Sequence, residues 1–195
     1  MRIDFKFSLA LAVLAASLLC ACGARHEATE SYVLVSTNTR IGYWQEAAKG
    51  LQTAARELAV KSEMLGPENY DPKSEKDEFL KAVHRQPPPS GILVSAADPG
   101  LMRDAIDSAV AAGIPVITID ADSPQSKRLT FIGTNNYQVG ETGGELLAKE
   151  LKGKGTVVFY SMPGQANLDE RLEGLQAGPC AKSRHQDSSG DRHCR

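Results

Sequence analysis

The stretch GILVSAADPGLMRDAIDSAVAAGIPVITID, residues 91–120, decides the fold. Residues 91–95 form a short apolar run of the kind carried by a strand buried on both faces. Pro99 suits an early helical position, where its missing N–H costs nothing. Over residues 100–112, Leu101, Ile106 and Val110 fall on one side, and Gly113 closes the helix. Residues 114–120 then return as another strand. Strand, crossover helix and strand together predict a right-handed βαβ unit in a parallel sheet.

The same unit repeats upstream. Residues 32–36 read as a strand, and residues 43–59 as a helix with Ala47, Ala48, Leu51, Ala54, Ala55 and Leu58 at helical spacing. Residues 60–65 read as a second strand, ended by Gly66-Pro67. A helix over residues 73–85 carries Phe79, Leu80 and Val83 on one side and is stopped by Pro87, Pro88 and Pro89. Downstream, residues 121–127 are polar, contain Pro124 and read as a connector. The pattern then restarts with a strand at 129–132, a helix at 137–152, a strand at 156–160 and a helix at 167–176. The expected class is therefore α/β: a parallel doubly wound sheet forming a first ligand-binding lobe over residues 32–123, with a partial second α/β lobe over residues 124–176. From Ala177 periodicity ends and apolar residues nearly vanish, so residues 177–195 are expected to be a disordered, aberrant tail. The abrupt change of composition points to a shifted reading frame.

Residues 1–22 have the anatomy of an export signal. Arg2 and Lys6 precede an apolar run over residues 9–19 that is too short to span a bilayer permanently. Small Ala21 before Cys22, with Leu19 three positions ahead of the cysteine, resembles the lipobox of bacterial lipoproteins, whose cysteine thiol is acylated. Cleavage after Ala24 by ordinary signal peptidase is the other reading. Residues 23–31 then serve as a polar tether. Both readings place the protein in the periplasm or at the outer face of the cell membrane, and under the lipoprotein reading it meets the bilayer only through an N-terminal lipid. A net charge of −2, from 22 basic and 24 acidic residues, creates no field for nucleic acid. Cys180, His185, His193 and Cys194 match no common zinc spacing, and no metal or cofactor is expected.

In a parallel sheet, the loops beyond the strand C-termini form the ligand crevice. Here those loops carry Thr37, Asn38, Thr39 and Arg40, then Tyr43-Trp44 at the mouth of the first helix. Asp98 follows the third strand, and Asp120 and Asp122 follow the fourth. Further along stand Asn135-Asn136, then Gln165, Asn167 and Arg171. The set suits a sugar, whose apolar faces pack on aromatic planes and whose hydroxyl edges bond carboxylate, amide and guanidinium. Each residue also has a plainer reading. Asp120 is a turn former, Tyr43 and Trp44 staple the helix to the sheet, one of the two asparagines caps the following helix, and Arg171 pairs with Asp169. No G-x-S-x-G elbow, G-x-G-x-x-G after a strand or Walker loop is present, and the crevice acids lack a nearby histidine, so the chain reads as a binding protein and not an enzyme.

With residues 114–120, FIGTNN at 131–136 and PGQANLDER at 163–171, the order of blocks from about Tyr32 to Gln176 resembles the ribose-binding type of periplasmic sugar-binding proteins. These are type I periplasmic binding proteins, the solute receptors of ABC importers. The resemblance implies a small-molecule sugar as ligand and an ABC permease as partner. It matches Tyr43 and Trp44 to the aromatic pair that sandwiches the sugar, and Asp120 to the first-lobe aspartate. Asn136 matches the asparagine just past the hinge, Arg171 the arginine of the second lobe, and Thr37 or Asn38 a polar contact after the first strand. Ala121 stands where the family commonly has arginine, which leaves the exact sugar open. The family fold also needs more chain than follows Gln176, so the sequence reads as a C-terminally truncated receptor. An exported sensor for chemotaxis or a sensor kinase fits the same residues, and an exported α/β enzyme is the remaining, less favoured reading. Lac-repressor-type regulators share the architecture but begin with a helix-turn-helix where this chain has an export signal.

Overall fold

A computed structural model describes residues 26–177 and the backbone of residues 193–194. The export segment with Cys22, residues 23–25 and most of the predicted tail lie outside the described residues.

Strands and helices alternate as the apolar pattern dictates: β1 (Ser31–Val35), α1 (Gly42–Glu57), β2 (Lys61–Leu65), α2 (Pro72–Val83), β3 (Gly91–Val94), α3 (Pro99–Ala111), β4 (Val116–Ile119) and β5 (Thr130–Ile132). The strands form one sheet in the order β2-β1-β3-β4-β5, with every neighbouring pair parallel. Chain order and spatial order part between β1 and β3, so the loops leaving those strands diverge and open a crevice at the sheet's C-terminal edge.

The helices start where their side chains can satisfy free backbone N–H groups. Asp71 accepts from the backbone N–H of Lys73 and Ser74 at 3.0 and 3.1 Å, and Asp98 accepts from Leu101 at 2.9 Å. In each case proline occupies the first helical turn, where no donor is lost. Val33, Val35, Ile92, Val94 and Val116 of the sheet pack with Phe79 of α2 and with Met102, Ile106 and Ala109 of α3. Each large side chain buried there contributes roughly 1.5–3 kcal/mol.

Three expectations need correction. The strand expected at 129–132, which was assigned to the second lobe, is β5 and pairs with β4, with Ile117 opposite Thr130 and Thr118 opposite Phe131. The polar connector before it therefore leads back to the edge of the first sheet. Residues 26–30 of the expected tether are bonded: Glu30 N donates to Glu27 O at 2.8 Å, Tyr32 OH donates to Glu30 Oε2 at 2.8 Å, and Lys61 N donates to Glu30 O at 2.9 Å. The Glu27 amide, with His26 and Tyr32, holds the Glu30 carboxyl down at about 2.

Beyond β5 run α4 (Asn136–Glu150), β6 (Gly155–Thr156) and α5 (Ala166–Ala177). The strand expected over 156–160 therefore shrinks to two residues, which pair antiparallel with β7 (His193–Cys194). A strand needs a bonded neighbour to persist, and among the described residues none flanks 157–160; Val158 and Tyr160 stand exposed. Of the expected tail, Ala177 ends α5 and residues 193–194 form β7. The remaining tail residues lie outside the described set.

Candidate functional site

The site is organised around Asp120. This residue follows β4 with φ +62°, in the left-handed region that aspartate enters more readily than most residues. Its N–H donates to Ile132 O at 3.1 Å, tying the turn to the end of β5. Two neutral donors hold its carboxylate. Tyr43 OH, reaching from α1, donates to Oδ1 at 3.1 Å, and Asn167 Nδ2, at the start of α5, donates to Oδ2 at 3.3 Å. Burial raises the Asp120 carboxyl above its ordinary value, against the pull of Tyr43, Arg171 and Ser95. Burial and the adjacent Asp120 carboxylate in turn raise the Tyr43 phenol.

A second pair lies one turn further along. Arg171 donates from Nε and Nη2 to Asn136 Oδ1, at 3.1 and 2.5 Å. Asn136 is buried and donates from Nδ2 to Thr134 O at 3.1 Å. Its neighbour Asn135 accepts from Gln138 N at 3.0 Å and caps α4. Adjacent asparagines have thus divided capping from site geometry.

Glycines set the alignment of α4 on α5. A Cβ on Gly140 would lie 2.1 Å from Arg171 O, and one on Gly174 would lie 2.0 Å from Tyr137 O. Backbone meets backbone here, and that contact brings Arg171 to Asn136.

A cavity of about 640 Å³ opens against this cluster, lined among others by Asp120, Asn136, Asn167, Phe131, Arg103 and Glu170. Of the residues singled out from the sequence, Asp120, Asp122, Asn136 and Asn167 line it, and Tyr43 and Arg171 reach it through their hydrogen bonds. The others are placed differently. Trp44 is only 2% exposed and meets Tyr43 edge to face, with ring centroids 5.0 Å apart and planes at 87°. The pair therefore does not form two parallel plates; Trp44 anchors α1 while Tyr43 points out. Thr37 is buried at the end of β1, and Asn38 Oδ1 accepts from Arg40 N at 2.9 Å in a local turn. Neither lines the cavity.

The remaining crevice acids are partly consumed by structure. Asp98 caps α3. Asp122 is gripped by Arg128 from Nε and Nη2 at 2.5 and 2.6 Å, and by Thr118 Oγ1 at 2.6 Å. Burial works to raise Asp122, but the Arg128 and Thr118 bonds outweigh it and leave the carboxyl lowered. Asp169 accepts from Gly164 N at 3.0 Å, which leaves Arg171 to Asn136. Phe131 was missed from the sequence: in a three-residue strand, alternation is too short to tell which face a ring takes.

Comparison with known proteins adds a family. A model of the periplasmic binding protein domain matches residues 32–183. The ribose import binding protein RbsB of Bacillus subtilis (strain 168) is 30% identical over 129 residues, covering 65% of this chain and 41% of that protein. Among solved structures, GanP, a glucose-galactose binding protein from Geobacillus stearothermophilus, superposes with a TM-score of 0.71 at 31% identity, over 76% of this chain and 52% of GanP. The XylFII–LytSN complex gives 0.71 at 30% identity, over 76% and 54%. The chain spans about half the length of the relatives it matches.

Proposed function

The chain belongs to the periplasmic binding protein family, and on that premise we propose that it is an extracytoplasmic receptor whose cavity takes a small sugar for delivery to an ABC permease. The observation that carries this reading is the convergence on one cavity edge of a carboxylate from the β4–β5 link, a phenol from α1, and amides and a guanidinium from α4 and α5. These groups suit a polyol. Asp120 accepts from adjacent hydroxyls, the Arg171 fork donates, and Asn136 and Asn167 can each do both. The exposed ring of Tyr43 offers an apolar face to the C–H side of a sugar.

At the Asp120 carboxylate, binding exchanges partners. Tyr43 and Asn167 hold the Asp120 carboxylate in one orientation before a ligand arrives, so little side-chain ordering remains to be done on binding. We place the first lobe from β1 through β5, with α4 and α5 contributing to a second lobe that closes over the ligand. Acylation of Cys22 would hold the receptor at the outer face of the membrane, a reading supported by the Leu19-Cys20-Ala21-Cys22 motif. The likeness to XylFII, which forms a complex with LytSN, supports a second reading, a sugar receptor that signals to a partner protein instead of delivering to a permease.

Ligand-observed NMR on the full chain, with ribose, arabinose, xylose, galactose and glucose, tests the receptor reading. At least one sugar should show saturation transfer. Asp120→Ala and Arg171→Ala should each weaken it by about 10- to 100-fold, the worth of a charge-assisted hydrogen bond. A folded chain that responds to none of them removes the sugar-receptor reading. A sugar that binds both variants as well as the parent moves the site elsewhere.

A further inference from the structure

We infer that the cavity beside Asp120 prefers a sugar carrying a charged primary amine, with Asn167 and Asp120 forming the seat for that amine; the inference rests on the sugar-receptor reading above. Asn167 is 7% exposed and lines the cavity. Its Nδ2 is committed to Asp120, while its buried Oδ1 has no hydrogen-bond partner. A buried amide oxygen left without a donor costs about 1–3 kcal/mol, so the site favours a ligand that brings a donor to that point.

Charge decides which donor fits best. The carboxylates lining the cavity are Asp104, Asp120, Asp122 and Glu170, and the lining cation is Arg103. Asp122 is neutralised by the two-pronged contact from Arg128, and Arg103 faces Asp104 at 3.4 Å. That leaves Glu170, together with Asp120, whose charge is only partly offset by the nearby Arg171. The hydrogen bonds to the Asp120 carboxylate come from neutral donors, the Tyr43 phenol and the Asn167 amide. The nearby Arg171 gives its Nε and Nη2 protons to Asn136 instead. The seat therefore combines an orphaned amide oxygen, a carboxylate bonded only by neutral groups, and a second carboxylate on the same lining. A hydroxyl brings one donor and two acceptors to such a place; an ammonium brings three donors, no acceptor and a positive charge. The ammonium answers all three features together.

The test compares D-glucosamine and D-galactosamine with D-glucose, D-galactose and the two N-acetylated sugars, by ligand-observed NMR titration on the full chain and on Asn167→Ala and Glu170→Gln. The amino sugar should bind about tenfold or more tighter than its parent, as one charge-assisted bond would give. N-acetylation should abolish the preference, and each variant should reduce it. If Asn167→Ala does not melt cooperatively, Glu170→Gln alone carries the comparison. Neutral sugars that bind equally or more tightly, or a preference unchanged in the folded variants, overturn the inference and leave the receptor reading standing. If neither class binds, both fall together.

Discussion

In the five-stranded sheet, Val35, Val94 and Val116 are fully shielded beneath helices that pack through side chains; across the turn after β5, α4 and α5 instead touch backbone to backbone through Gly140, Gly144 and Gly174. The first arrangement distributes its stability over many apolar groups and can carry an awkward residue. The second depends on what is missing from a few positions, and the two residues it brings together, Asn136 and Arg171, belong to the candidate site. Each region accordingly has its own weak point: a buried acid in the sheet region, and absent side chains in the helix pair.

The largest effect is expected at that acid. Glu75 is fully buried in the first turn of α2; its Oε2 accepts from Ala97 N at 3.3 Å and its Oε1 has no hydrogen-bond partner. Burial raises its carboxyl from 4.5 to about 8, with Asp98 adding to the rise and the Ala97 amide opposing it. The folded state thus holds this proton more tightly than the unfolded chain. Stability from this group is full below about pH 4.5, falls as pH rises toward 8, and levels off above that. The slope is about 1.4 kcal/mol per pH unit. Glu75→Gln keeps the shape and removes the titration, so it should exceed the parent by on the order of 3 kcal/mol at pH 7 and flatten its pH dependence. Urea melts from pH 4 to 9 check this. Parallel curves for parent and variant would mean that the sheet region carries no such burden, and half of the contrast would go.

The helix pair should respond next, and in the opposite direction. Gly174→Ala places a methyl where Tyr137 O stands 2.0 Å away, and that backbone oxygen cannot rotate aside. α4 and α5 must separate, at a cost of about 1–3 kcal/mol. Gly143→Ala is the control, because the nearest atom to its Cβ is a Leu175 methyl at 3.9 Å. Amide exchange should show faster opening in α4 and α5 of Gly174→Ala, unchanged protection in β1, β3 and β4, and a weaker response to any sugar that binds the parent. Uniform loss of protection across both regions would show that they unfold as one unit.

The contrast also sets what could be read from the residues alone. The unit over 91–120 was legible because its apolar runs, its proline and its glycine all point one way, and β3, α3 and β4 form where expected. β5 was legible as a strand but not as a member of the first sheet. Three residues after a polar connector say nothing about which neighbour they join, and only tertiary pairing with β4 decides it. The 157–160 run has the composition of a buried strand, yet composition cannot supply the neighbour that makes a strand. Within the site, Asp120 could be placed at the crevice because strand ends are easy to find. The division of labour between Asn135 and Asn136 could not, since either can cap a helix and only the arrival of Arg171 from another element separates them. The burial of Trp44 beside an outward Tyr43 is equally invisible when two aromatics are adjacent in a helix.

The smallest effect is expected where the two regions meet. Tyr43 is 60% exposed, and its hydroxyl links α1 to Asp120, which Asn167 holds from the other side. Tyr43→Phe removes one partly solvated hydrogen bond, worth about 0.5–1.5 kcal/mol at most, and leaves the ring. The Asp120 carboxyl should then titrate higher, because the lost bond is among the contacts that pull it down against burial. Side-chain carbonyl NMR of Asp120 reads this directly. The same variant separates the two uses of the residue. A sugar packed on the ring should bind Tyr43→Phe nearly as well as the parent and lose affinity in Tyr43→Ala, whereas a ligand oriented through Asp120 should weaken in both. Equal loss in the two variants would assign Tyr43 to holding the carboxylate, and the apolar face of the ligand would then need another partner, for which Phe131 on the cavity wall is the aromatic at hand.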